Sequence, residues 1–250
     1  MMQNVEHVTQ STRLMLRHGL MKEFLVQSGQ KVFGAHVYVD AVLDVGAFKP
    51  VLRYPVPLHV RAVTAPEDPS LYAVLSDRTL GSAERHEASR RMAMLATGIR
   101  TCYASVDDAG NVRVMQWLIP AGENGALRQL YADWFPWLAA DEALMENAYV
   151  FPKYRGTGVL SVALSKLVEI ARGAGVARIR TGIPGTNVNS LMSFSRMGFR
   201  PERVRVEKRR FGVAARSVVA VTSCNDLRSF AGFVAGPALL SGRVPDSIAF

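Results

Sequence analysis

Cysteine is almost missing from this chain: two occur in 250 residues, Cys102 and Cys224. They lie far apart and show no CxxC or Cys/His ligand spacing, so neither a disulfide framework nor a zinc site is indicated, and buried free thiols are expected. No metal is expected. Long apolar runs are missing too. The stretch SFAGFVAGPALLSG, 229–242, is too short and too broken by Gly and Pro to span a bilayer, so no membrane partner is expected. MMQNVEHVTQSTR at the start has no apolar core followed by a small-residue cleavage site, which argues against a secretory signal and for a cytoplasmic location. Low-complexity tracts and internal repeats are likewise absent, excluding a largely disordered chain and a solenoid.

What is present is ample material for a core, with 49% hydrophobic and 20% charged residues. The net charge of +9 is unevenly placed: from Phe151 to Arg216 fourteen Lys or Arg face three Glu and no Asp, a local surplus of +11. Such a field concentrates anionic ligands, whether a phosphorylated cofactor, nucleic acid or an acidic substrate. A solvated basic face would look the same.

Apolar periodicity places a helix over 9–27, one or two strands in VFGAHVYVDAVLDV, and a strand in PLHVRAVTAPED with Pro66 opening a helix. Helical composition then dominates from Asp68 to Gly98. CYASVDDAGNVRVMQWLI reads as a hairpin around Asp107 to Asn111. After an insertion holding Trp134 and Trp137, ALMENAYVF is a strand that ends at Pro152. Leu160, Ala163, Leu164, Leu167, Val168 and Ala171 recur at helical spacing up to Gly173 or Gly175. VARIRTGI is a strand, Asn187 to Met197 a helix, and RVRVEKRRF with ARSVVAVTS a strand pair. Strands and helices alternating after an antiparallel meander predict a mixed sheet with helices on its faces.

The segment FPKYRGTG, residues 151–158, carries the chemistry. Glycines at a helix entry lower stability, so their use suggests that something approaches the backbone closely, and an anion suits the site. A Walker loop would need GxxxxGK[ST], which is not there. A GxGxxG fingerprint fails at Ser161 and is separated from the strand by Lys153, Tyr154 and Arg155.

KYRGTG after a strand ending in Val150, Phe151 and Pro152 resembles the R/Q-x-x-G-x-G/A signature of the GCN5-related N-acetyltransferase (GNAT) superfamily. Asn187, Ser190, Phe194 and the Gly198-Phe199 pair resemble its N-x-x-A…Y…GF helix, and HVRAVTAPED resembles its first strand and turn. The resemblance implies a mostly antiparallel mixed central sheet with helices on both faces and a split between two parallel strands. It covers 57–222 as the acyltransferase domain, leaving 1–56 as an N-terminal extension of a helix and one or two strands. The remaining 223–250 are a C-terminal extension packed on the domain.

The implied activity is acetyl-CoA-dependent N-acylation of a primary amine on a small molecule, amino acid derivative or peptide. Acetyl-CoA, or another acyl-CoA, is then a co-substrate. Its expected contacts are Tyr149, Val150, Phe151, Lys153, Tyr154, Arg155, Gly156, Thr157, Gly158 and Val159, with Asn187, Ser190 and Phe194 from the later helix. Glu146 is the candidate general base. Phe194 stands where many members carry the Tyr that protonates the thiolate, which leaves the general acid unassigned, with Tyr149 and Tyr154 as substitutes. A non-catalytic acyl-CoA sensor is the alternative function. Nucleic acid is not expected as a partner, because aromatics are not interleaved with the basic residues. A homodimer contact is among the uses open to the first 56 residues. His18, His36, His59 and His86 have no ligand spacing and are expected to be structural, and Trp117, Trp134 and Trp137 to pack in the core or cover it. Lys208, Arg209 and Arg210 are expected at a turn or edge.

Overall fold

The structure, a computed structural model, describes residues 34–221 apart from 51–54, 65–67, 98, 132–133 and 212, together with positions 13, 17 and 20. Most of the helix expected over 9–27, and everything after 221 including Cys224, lies outside the described residues. The fold is of mixed α/β type and its strands run mostly antiparallel. Two compact units divide the chain: Met1–Gln27 with Pro50–Val176, and Ser28–Lys49 with Ala177–Phe250.

In the first unit, strands β2 (His59–Val63), β3 (Cys102–Val106), β4 (Val112–Pro120) and β5 (Glu142–Val150) pair antiparallel in that order. Helices α1 (Pro69–Ser76) and α2 (Ser82–Leu95) precede β3. Pro66, which the sequence suggests as a helix opening, lies outside the described residues, and the first of these helices opens at Pro69. Asp68 is the reason: its carboxylate accepts the Ser70 N–H at 2.9 Å, and a proline at the first helical position loses no helical bond. The helical stretch breaks in two where Asp77 accepts both the N–H and the hydroxyl of Thr79, at 2.9 and 2.6 Å.

Helix α3 (Asn124–Tyr131) fills the insertion before β5, and α4 (Val159–Gly173) follows it. Helices cover both faces of this unit's strands. Leu71 and Leu75 of α1 and Met92 of α2 join Met115, Trp117, Leu144, Tyr149 and Phe151 on one side. Val159, Val162 and Ala163 of α4 join Leu58 and Val114 on the other. Burying each large aliphatic side chain contributes about 1.5–3 kcal/mol, so the apolar stripe of α4 is enough to hold its first turn against the sheet. Leu160 in that stripe is only half buried.

The hairpin between β3 and β4 turns on Asp107. Its carboxylate accepts the Asn111 N–H at 2.8 Å and the Asn111 side chain, and pairs with Arg113 at 2.8 Å. Hydrogen bonds from Asn111, and then from Arg113, outweigh burial and pull its acidity from 3.8 to about 2. A carboxylate with a depressed folded-state pKa contributes stability that is whole above its ordinary value. That contribution should therefore disappear as pH falls from about 4 towards 2. An acid titration followed by circular dichroism should show this step in the parent chain and a smaller one in Asp107→Asn.

The second unit orders its strands β6 (Arg178–Pro184), β1 (Gly34–Asp44), β7 (Arg200–Arg210) and β8 (Val213–Ala220), all antiparallel, with helix α5 (Val188–Arg196) between β6 and β7. Residues 34–44 thus form one long strand. That strand sits inside this set rather than in an appended extension, with Val39 opposite Ile183 on one side and Val37 opposite Val206 on the other.

Several of the basic residues here have acidic partners. Buried Asp40 takes Arg203 at 2.7 Å and Arg205 at 2.8 Å, Glu207 takes Arg216 at 2.7 Å, and Glu202 takes Arg180. Lys208, Arg209 and Arg210 lie within β7 and pair with β8, where a turn or an edge was expected.

Candidate active site

The site begins with an irregularity in β5. Met115 pairs with Tyr149, while Trp117, two residues on, pairs with Glu146, so β5 carries one residue more than β4 across this interval. Asn147 accommodates the extra length with φ of 57°, a left-handed conformation that Asn tolerates better than most residues. Its side-chain amide contacts the Met94 sulfur at 2.6 Å.

The bulge changes which side chains can meet. Residues two apart on a strand share a face, so Met115 and Trp117 do. Their partners Tyr149 and Glu146 must share that face as well, although they are three apart and would oppose each other in a regular strand. Glu146 is half buried there. Tyr131 lies near enough that its hydroxyl is pushed up to about 12, by burial first and then by the Glu146 charge.

After β5 the chain makes a short turn and then enters α4. The Tyr154 N–H donates to the Phe151 carbonyl at 2.9 Å, the Arg155 N–H to Pro152 at 3.3 Å, and the Thr157 hydroxyl to the Tyr154 carbonyl at 2.6 Å. The loop's inward carbonyls are thus satisfied by its own donors. Gly156 and Gly158 take φ of 74° and 81°, and a Cβ built on either would meet no atom within 4 Å. Open space beside them means that backbone conformation, not packing, demands glycine here. Gly158 is the N-cap of α4, a fifteen-residue helix, and supplies no side-chain cap bond to its first amides. Residues 155–158 are exposed, with Lys153 beside them. Backbone donors and the helix dipole together favour negative charge at this position.

Two struts hold the loop from beneath. In the first, Arg113 stacks on the Tyr154 ring, 4.5 Å from its centroid, while bound to Asp107; Lys153 reaches the same ring at 5.7 Å. In the second, the Arg155 guanidinium bonds both oxygens of Glu84 at 2.6 Å and sends its Nε to the Val150 carbonyl at 3.1 Å. The Tyr149 hydroxyl donates to Glu84 at 2.5 Å. Arg91 lies over the Tyr149 ring at 4.4 Å, bonds Glu87 at 2.7 Å and reaches the Ala148 carbonyl at 3.4 Å. Burial alone would raise the Glu84 pKa, but the bonds from Arg155 and Tyr149 outweigh it and bring it below the ordinary value. Burial and the Glu84 bond hold the Tyr149 proton well above the usual phenol range.

Lys153, Tyr154, Gly156, Thr157, Gly158 and Val159 therefore gather at the start of α4. Arg155 belongs there by its backbone, while its side chain turns back to Glu84. Tyr149 is tied to the same carboxylate by the hydrogen bond its hydroxyl donates, and it keeps its proton. Phe151 donates its N–H to Arg113 at 3.1 Å, so of the three residues ending the strand, Val150 is the one whose backbone turns away from β4.

Asn187, Ser190 and Phe194 belong to the second unit, where each has a local role. The Asn187 side chain accepts the Ser190 N–H at 3.1 Å and caps α5. At its other end, Gly198 and Phe199 return their N–H groups to Ser195 and Phe194 at 2.9 and 3.1 Å. Phe194 meets Phe199 edge-on at 5.0 Å, the apolar contact that accompanies such a helix stop.

Trp117 is fully buried in the core and Trp137 is 65% exposed. His59 bonds Asp108 at 2.8 Å at an exposed position. Cys102 is buried, and burial pushes its thiol far up. Among the described residues no group of three His, Cys, Asp or Glu could hold a metal ion, and no helix is long and apolar enough to cross a membrane.

Sequence reasoning missed Glu84, Arg91, Asp107 and Arg113. The spacing of Glu87 and Arg91, four apart on a helix, was a signal that could have been read. Nothing local marks Glu84 as the partner of a residue 71 positions away.

No family profile matches the sequence, and neither does any curated protein. The solved structures to which the chain is similar are mostly GCN5-related N-acetyltransferases. One is the GCN5-related N-acetyltransferase of Sphaerobacter thermophilus, at 12% identity and TM-score 0.47, covering 81% of this chain and 58% of that one. Another is the GCN5-related glucosamine N-acetyltransferase region of a fungal multi-domain β-N-acetylglucosaminidase, at 14% and 0.47, covering 73% of this chain and 22% of that one. A tandem GNAT protein of the clavulanic acid pathway gives 14% and 0.44, with 76% and 57% covered. The chain spans between about a fifth and three fifths of the length of these proteins. The likeness describes overall form, and the chemistry below rests on this chain's own residues.

Proposed function

We propose that the chain is an acetyl-CoA-dependent N-acyltransferase that acetylates a primary amine of a small molecule, amino acid derivative or peptide. The observation that carries this reading is the pair of left-handed glycines, 156 and 158, at the N-terminus of α4 beside Lys153. The KYRGTG motif supports it at the same residues. Amides of 156–159 would hold the diphosphate, and the outward backbone of Val150 lies along the route of the pantetheine arm. Acetyl-CoA supplies the acyl group already activated as a thioester.

The protein's own task is then to bind, orient and remove a proton. An amine attacks only as the neutral base, and Glu146, brought by the bulge onto the Tyr149 face, is placed to take that proton directly or through water. A thiol needs little help in leaving as a thiolate, because its pKa is modest, which fits a site where the Tyr149 hydroxyl is engaged by Glu84 and holds its proton tightly. Glu146→Gln should lower turnover about 100-fold or more while acetyl-CoA affinity is unchanged. Steady-state assays of thiol release over a panel of amines, with calorimetry for the coenzyme, read the two separately; undiminished turnover removes Glu146 from the mechanism.

A non-catalytic acyl-CoA sensor is the second reading, favoured by Phe194, whose ring packs on Phe199 and has no proton to give. Coenzyme binding without thiol release for any amine would select it. Nucleic acid suits the second unit poorly, since Arg203, Arg205 and Arg216 already face Asp40 and Glu207.

A further inference from the structure

Glu84 is the residue in the first unit for which neither motif nor composition suggests a role, and it has three well-formed bonds. Two come from opposite arms of the Arg155 guanidinium at 2.6 Å, and one from the Tyr149 hydroxyl at 2.5 Å. The geometry is the paired fork in which arginine holds a carboxylate with the most directional strength, and the Glu84 side chain is 17% exposed, so water competes weakly. Arg155 also spends its Nε on the Val150 carbonyl at 3.1 Å, so all three of its guanidinium nitrogens are engaged.

Glu84 stands in the first turn of α2, on the side of the sheet opposite α4. Its helix is tied to β5 a second time, through Arg91, which Glu87 of the same helix holds and which reaches the Ala148 carbonyl. The ring of Tyr149 lies between the two guanidiniums, 4.4 Å from Arg91 and 5.6 Å from Arg155. An anion cradle gains affinity by being rigid before its ligand arrives, because ordering a loop afterwards costs binding energy.

We propose that Glu84 is a positioning residue for the diphosphate cradle: it anchors Arg155, and through Arg155 the 155–158 loop, to α2, so that Arg155 serves by being held rather than by touching phosphate. This deepens the acetyl-CoA reading and rests on it. The consequence is a specific pattern in a double-mutant cycle. If both side chains act as one strut, Glu84→Gln, Arg155→Gln and the double variant should each weaken acetyl-CoA binding to the same extent, about tenfold, because cutting a strut twice does no more than cutting it once. Turnover at saturating coenzyme should change far less than the KM for acetyl-CoA.

Calorimetric titration of acetyl-CoA into the parent chain and the three variants, each checked for a cooperative thermal transition, provides the test. Equal losses in all three support the strut. Additive losses, or an Arg155→Gln effect much larger than that of Glu84→Gln, would mean that Arg155 meets the phosphates itself and would overturn it. Unchanged affinity in Glu84→Gln would overturn it too, while leaving the coenzyme reading intact. Failure of the parent chain to bind acetyl-CoA would instead remove the coenzyme reading, and the strut's purpose with it. Should Glu84→Gln not fold, Arg155→Lys keeps the charge while losing the fork, and an affinity equal to the parent's would be the overturning result.

Discussion

Gly158→Val should reduce acetyl-CoA affinity at least tenfold while costing only about 1–2 kcal/mol of stability, the penalty for a side chain in the left-handed region. The two numbers differ because they have different causes. Gly158 has φ of 81°, and a Cβ added to it would find no atom within 4 Å, so the protein itself loses backbone ease and suffers no clash. The valine branch would, however, stand at the mouth of α4 where the helix amides meet an anion, and close approach to those amides is what makes the cradle work. Gly156→Val, at φ of 74°, should behave alike. Gly173→Ala at the far end of the same helix also meets nothing within 4 Å, has no left-handed strain, and should leave affinity as it was. Calorimetry on the four proteins reads this directly. Full affinity in Gly158→Val would place the coenzyme elsewhere.

The largest loss of stability is expected from Trp117→Ala, about 3–5 kcal/mol, enough to consume much of the margin of a domain. Trp117 is fully buried in the middle of β4, between the α1–α2 side chains and β5, and no neighbour can move in to fill its volume without disturbing both helices. Trp117→Phe should cost much less, for a reason beyond size. The indole N–H is buried without a hydrogen-bond partner. An orphaned donor of this kind costs about 1–3 kcal/mol, and phenylalanine removes that cost while forfeiting part of the packing. Urea unfolding followed by fluorescence and circular dichroism would measure both; a loss for Phe as large as that for Ala would overturn this expectation. Because Glu146 lies directly across from Trp117, the alanine variant should also lose turnover ahead of coenzyme affinity.

Much of the first unit could be read along the chain, since its signals are local. The α4 stripe, the Asp107–Asn111 hairpin and the strand ending at Val150 all depend on residues within a few positions of one another. The opening of α1 at Pro69 rests on a local signal too, the Asp68 cap one residue before it. The neighbours of 34–44 could not be read in this way: hydrophobic alternation identifies a strand but not its partners, and β1 found its own about 140–170 residues downstream. Asn187, Ser190 and Phe194 were recognisable by pattern, and their bonds within α5 give each of them a structural use that the pattern alone did not disclose.

By itself the sequence determined most of the elements, the basic field over 151–216 and the glycine-bearing turn before α4, because period, charge and backbone freedom belong to residues close together. Only the tertiary structure decided that Glu146 and Tyr149 share a face, that Arg155 turns to Glu84, and that several arginines of the second unit's strands have acidic partners. Those outcomes follow from strand register and from one extra residue in β5, and register is settled by contacts between segments that sequence distance keeps apart.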